Sequence, residues 1–206
     1  MSTLAPSQAL FAASSALSPV EDADLGTLPR WNLADLYDGP SDAKIDADLD
    51  WAEAQAKSLS ETVKGTLASM TPSALAETIA WYETIYERLG KLGTYAFLNG
   101  ATQRTDGEAM QFQAKINERS TNISADLVFF SLELNAIEDA VMEEKLADPA
   151  MGPWKSFIER TRLMKPHQLS DELEAYTHDF AIVSGSAWVQ LLDETMAALS
   201  FEIDGN

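Results

Sequence analysis

The 206-residue chain contains no cysteine. That absence excludes disulfides, thiol nucleophiles and every cysteine-ligated zinc or iron–sulfur centre. Histidine is almost as scarce: His167 and His178 are the whole complement, eleven positions apart. A zinc hydrolase of the HExxH type needs two histidines four apart on one helix with a glutamate between them, and the chain has no such motif. Positive charge is sparse as well. Fourteen Lys and Arg face 33 Asp and Glu, a formal charge of −19. Such a surface repels phosphate backbones and anionic headgroups, so neither nucleic acid nor a membrane surface is expected as a partner. No apolar run approaches the length of a membrane span. The apolar stretch "ALFAASSAL" at 9–17 has no basic residue before it, the first being Arg30. It therefore lacks the n-region of a secretory signal, and a cytoplasmic protein is expected. A GxSxG nucleophile elbow and a glycine-rich phosphate loop are also missing.

What the chain does have is helical periodicity. Residues 1–27, rich in Ala, Ser and Pro, read as a flexible leader. "LPRWNLADLYDGP" at 28–40 follows, with Trp31, Leu33, Leu36 and Tyr37 placed to pin the segment to a body. In 41–64, with Ser41 as N-cap, Ile45, Leu49, Ala52, Ala56, Leu59 and Val63 step by four and three, a narrow bundle seam that Gly65 ends. Thr71-Pro72 opens a second helix, running to about 98. Its stripe is Leu75, Ile79, Tyr82, Tyr86 and Leu89, with Trp81, Ile85 and Leu92 beside it. Gly90 and Gly93 would allow a close helix contact, and Asn99-Gly100 would close the helix. Asp106 caps a third helix over 107–147, with a candidate break near Asn135, on a stripe of Ile116, Ile123, Leu127, Phe130, Leu134, Ile137 and Val141.

After Asp148-Pro149 the pattern shortens. Residues 152–164 bury Trp154, Phe157 and Ile158 and stop at Pro166. Ser170 caps a helix striped by Leu173, Tyr176 and Phe180. "SGS" at 184–186 breaks it, and Trp188, Leu191, Leu192, Thr195 and Leu199 stripe the last one. Leu199, Phe201 and Ile203 then alternate with polar residues before Asp204-Gly205, the reading of a strand and turn. The expected fold is all-α: a long antiparallel helical hairpin or bundle, then shorter helices, with a C-terminal strand of an incomplete hairpin. The expected divisions are 1–27 leader, 28–148 long-helix lobe, and 149–206 short-helix cluster.

Local chemistry is thin. Glu174 and His178, four apart, could share a helix face, but a di-iron bundle wants Glu-x-x-His on two helices. His167 between two helices reads as a loop-orienting residue. Carboxylate pairs such as Glu143/Glu144 lie on solvated faces. No catalytic, cofactor-binding or metal-ligating residue is expected in the chain.

Five phrases in order nevertheless resemble the start of oligoendopeptidase F-type enzymes, relatives of thimet oligopeptidase. They are "WNLADLY" (Trp31, Leu33, Asp35, Leu36, Tyr37), "LGKLGTYAFLNGATQRTD" (89–106), "FFSLELNAI" (129–137), "KPHQLSDELE" (165–174) and "AWVQLLDETMAALSFEIDG" (187–205). The resemblance implies the N-terminal, cleft-capping lobe of a zinc metallopeptidase that hydrolyses short peptides. Its zinc site would lie in a missing C-terminal catalytic domain, and 149–206 would begin that half. The chain alone is then expected to bind no zinc and to be inactive. Tyr95, Phe97, Asn99 and His167 lie where such a cleft could form. An apolar face and an unpaired terminal strand would also favour self-association. The alternative is a stand-alone helical adaptor that binds peptides without chemistry.

Overall fold

The computed structural model describes residues 32–103, 106–181 and 183–200. The body comprises Leu33–Asn206, and the unit before it, Met1–Asn32, lies outside the described residues except for Asn32. The leader and Trp31 therefore fall outside them too. Helix α1 spans Ala43–Val63 and α2 Pro72–Ala101. The α1 seam is buried at all six predicted positions. Its N-cap is Asp42 rather than Ser41, because the Asp42 carboxylate accepts from both Lys44 N at 2.9 Å and Asp38 N at 3.1 Å. Gly65, at φ +83°, takes the left-handed conformation that a side chain would disfavour, and α1 ends there. Thr71 caps α2 through Ala74 N, with Pro72 at the first helical position.

α1 and α2 run antiparallel, as two cross-links show. Trp81 Nε1 donates to Gln55 Oε1 at 2.8 Å, and Arg88 Nη1 meets Asp48 Oδ1 at 2.7 Å. Helix α3, Gly107–Ala125, returns beside both. Lys115 and Arg119 of α3 reach Asp46, Asp50 and Glu53 of α1 at 2.9–3.0 Å. These surface pairs add little stability but fix the register of a three-helix layer. Arg88, Lys115 and Arg119 are thus paired within the chain.

Asn99-Gly100 does not close α2. The helix continues to Ala101, and Gly100 there leaves room for the Gln113 side chain of α3: a Cβ would sit 2.2 Å from Gln113 Oε1. At Gly90 and Gly93 a Cβ would meet nothing, so the close contact expected there is absent. The third predicted helix is broken twice. α3 ends at Ala125, α4 runs Val128–Ala136 and α5 runs Asp139–Leu146. Ile137, with ψ 133°, is extended, which shifts the later phase by one residue. Met142, not Val141, is consequently buried.

The core runs from Tyr37 through the α1 seam and α2 to Phe130, Leu134, Met151 and Ile158. Tyr37 anchors the 33–38 turn, its hydroxyl donating to Asp48 Oδ2 at 2.8 Å and its ring meeting Tyr95 edge-on. The 3₁₀ turn Pro149–Trp154 precedes α6, Lys155–Arg162. A second, Lys165–His167, precedes α7, Asp171–Phe180, and then α8, Gly185–Ala198. No described residue is in a strand. Leu199 is extended beyond α8, but residues 201–206, which carry most of the predicted strand, lie outside the described residues. No described helix is long and apolar enough to cross a membrane.

Burial, and then the hydrogen bond to Asp48, hold the Tyr37 phenol above its ordinary value of 10.0. Burial does the same for Tyr82, helped by Tyr86. A raised folded pKa favours the protonated phenol in the fold. Its contribution is complete below the unfolded value of 10.0 and is lost as pH rises through the folded values. Tyrosinate absorbance is therefore expected to rise together with loss of helical circular dichroism above pH 10.0. Full ionisation of every tyrosine in an intact fold would contradict this.

Candidate functional site

A concavity of about 530 Å³ opens between the end of α2, the face of α3 and the start of α8. Phe97, Met110 and Val189 supply its apolar lining, and Gln113, Asn117, Ser186, Gln190 and Asp193 its polar groups. A second opening, about 380 Å³, lies between Tyr82 and Tyr86 of α2, the start of α4, and Glu174, Thr177 and His178 of α7. Both exist because α7 and α8 lie over the bundle without sealing onto it: neither helix has a buried residue.

The four cleft candidates read from the sequence separate once placed. Phe97 lines the larger concavity. Tyr95 is buried between Tyr37 and Phe112, and Asn99 is buried with its Oδ1 accepting from Gln103 Nε2 at 3.1 Å. His167 is exposed in the turn before α7; its backbone N–H bonds Met164 O, and its ring finds no hydrogen-bond partner among the described residues. The loop-orienting hydrogen bond expected of it is absent there.

Glu174 and His178 do line one opening, as their spacing allows. Glu174 Oε1, however, accepts from Leu169 N at 2.8 Å, closing the chain before α7. His178 Nδ1 stands 3.5 Å from Asp179 Oδ1. Among the described residues no three His, Asp or Glu side chains gather where a metal ion could sit. The donors present do not fit a zinc ion. Together the two concavities offer apolar surface with amide, hydroxyl and carboxylate groups.

A feature the sequence did not flag links this region to the body. Arg162 of α6 donates to Leu134 O, and to Ile137 O at 2.8 Å, and pairs with Asp139. Lys165 joins at 2.8 Å from Asp139 Oδ1. Lys165 first, then Arg162, hold the Asp139 carboxyl below its usual range. The signal in sequence was two cations in a chain poor in them, just past a helix rich in carboxylates.

The segment so stapled falls within a match to a known family. The family Oligopeptidase F matches residues 133–201, from the middle of α4 through α8. Over that segment the chain is similar to the Oligopeptidase F family. Oligopeptidase PepF of Bacillus subtilis (strain 168) is 27% identical over 163 residues, covering 76% of this chain and 23% of that protein. The chain thus spans about a quarter of the length of that curated relative. No solved structure matches. The matched segment holds both helices that overlie the concavities.

Proposed function

We propose that the chain is the cleft-capping helical lobe of an oligoendopeptidase F-like zinc metallopeptidase that hydrolyses short peptides in the cytoplasm. The observation that carries this reading is the Oligopeptidase F match over 133–201. In this reading the zinc site and the catalytic groups belong to a C-terminal catalytic domain, which is the lobe's partner together with the peptide. The lobe narrows access and helps hold an extended chain away from the scissile bond, where binding energy orients a substrate. The openings lined by Phe97 and by Tyr82 and Tyr86 suit that task, since they combine apolar surface with amide and hydroxyl groups.

Two measurements test it. Purified chain, with and without added zinc, is expected to leave internally quenched peptides uncut. Zinc-dependent cleavage that a chelator abolishes would show that catalysis resides in the chain itself. Sequencing the source locus past the codon for Asn206 is expected to reveal an open frame reaching His-Glu-x-x-His and a later glutamate. A stop codon there, in an expressed gene, would replace the peptidase reading with the stand-alone adaptor.

A further inference from the structure

The concavity between α3 and α8 has two walls built on one spacing. Gln113 and Asn117 of α3 line one side, and Ser186 and Gln190 of α8 line the other. Residues four apart on a helix lie about 6 Å apart along its axis. In an extended peptide, groups on one edge recur every two residues, about 6.7 Å. Each wall therefore presents two hydrogen-bonding side chains in step with one edge of an extended chain. From Met110 to Asn117 the α3 wall is about 10 Å long, the reach of about three extended residues. Phe97, Met110 and Val189 give apolar surface for the side chains of such a peptide. Among the described residues lining the concavity there is no Lys or Arg, so an anionic ligand meets no opposite charge there.

One of these side chains is turned away. Gln113 Oε1 is buried and finds no donor among the described residues. It lies against Gly100, where a Cβ would collide with it. Asn99 Nδ2, on the preceding residue, likewise has no acceptor among the described residues, so the end of α2 does not satisfy the Gln113 amide. A buried carbonyl without a donor is unfavourable, and turning outward to a donor on a ligand relieves it. We propose that Gln113 is the switch of this site: it turns from Gly100 into the concavity and accepts from a main-chain N–H of an extended peptide. Asn117 continues the same edge. Gln190 Nε2 already donates to Glu194 Oε1 at 2.9 Å, which leaves its own Oε1 to accept from the other edge. Such a site reads peptide backbone rather than peptide sequence. The inference rests on the peptide-holding reading above and adds to it the residue and the ligand group that meet.

Nitrogen–proton correlation spectra of the full 206-residue chain, titrated with acetyl-tetraalanine amide to about 10 mM, read the outcome directly. Shifts are expected at the Gln113 side-chain amide and at Asn117, Ser186 and Gln190. The same peptide N-methylated along its backbone lacks the N–H donors and should bind roughly tenfold more weakly. Gln113→Leu should weaken binding of the parent peptide roughly tenfold. Gly100→Ala acts in the opposite direction. Its methyl displaces only the far end of a flexible side chain, holds Gln113 outward, and should tighten binding about threefold. Neither substitution lowers helix propensity, so helical circular dichroism should stay unchanged. Equal binding of the N-methylated peptide overturns the proposal, as does a Gln113→Leu chain that binds normally, or weaker binding by Gly100→Ala. Shifts confined to the opening beside Tyr82 and His178 overturn it and leave the peptide-holding reading standing. No shift anywhere removes both. A stop codon after Asn206, together with Gln113-dependent binding, removes the peptidase and leaves this site.

Discussion

Phe130→Ala is expected to destabilise the chain by about 3–5 kcal/mol, the largest effect of any single substitution considered. Phe130 is fully buried at the start of α4. Its ring stacks on Tyr82 at 4.2 Å with an interplanar angle of 14°, and meets Phe129 edge-on. Truncation removes this side chain from a site bounded by two helices. α2 cannot move in to fill the space, because its other face is held to α1 by Arg88–Asp48 and Trp81–Gln55. The cavity term therefore adds to the lost transfer energy. Tyr82 supplies a second readout. Burial is the main reason its phenol titrates high, so opening its face should move that titration down toward the ordinary tyrosine range. Phe130→Leu should cost less and leave Tyr82 titrating high. Chemical denaturation curves decide the matter. A loss under about 1 kcal/mol for the alanine variant would mean that α4 is not part of the cooperative core.

The sequence made the three-helix layer legible for a physical reason. A 21-residue helix buried along one narrow stripe writes that stripe directly into residue spacing, and all six α1 positions were recoverable. Ends and kinks were harder, because they depend on contacts distant in sequence. Asn99-Gly100 has the composition of a turn, but it stays helical, with Gln113 of α3 packed against Gly100. The break at Asp126–Leu127 leaves Ile123, Leu127 and Phe130 all buried, so the apolar rhythm passes through it without a skip. Past the extended Ile137, one residue of phase is lost, and Met142 takes the place predicted for Val141. In α7 and α8 the stripes were read correctly as stripes. Periodicity reports that a helix has an apolar side; it does not report what covers that side, and here Leu173, Tyr176, Trp188 and Leu192 stay exposed. The candidate site fared similarly. Helix-end position identified Phe97 as a lining residue, while Tyr95, two residues away, points into the core.

Arg162→Ala is the second large expected effect, a loss of about 2–4 kcal/mol. The side chain is only 13% exposed and ends the carbonyl row of α4 in place of a capping residue. Leu134 O and Ile137 O both accept from it, at a junction where Ile137 N–H still bonds Glu133 O and the chain then turns extended at Ile137. Alanine strands both carbonyls in a partly buried corner and releases α6, which precedes every helix over the concavities. The ion pair to Asp139 contributes much less, since that carboxylate is 77% exposed and solvent-screened. Asp139→Asn should therefore be nearly neutral at pH 7, and Arg162→Lys should recover only part of the loss, because lysine lacks the planar guanidinium fork that fixes two donors on two carbonyls. Lowering pH separates the two roles. The lowered carboxyl of Asp139 contributes above its unfolded pKa of 3.8, and that contribution disappears as pH falls through the folded value. The capping of Leu134 and Ile137 has no such dependence. Wild type and Asp139→Asn should thus converge in strong acid, while Arg162→Ala stays below both. If Asp139→Asn instead matched Arg162→Ala at neutral pH, the junction would be held by the ion pair and the capping assignment would fall.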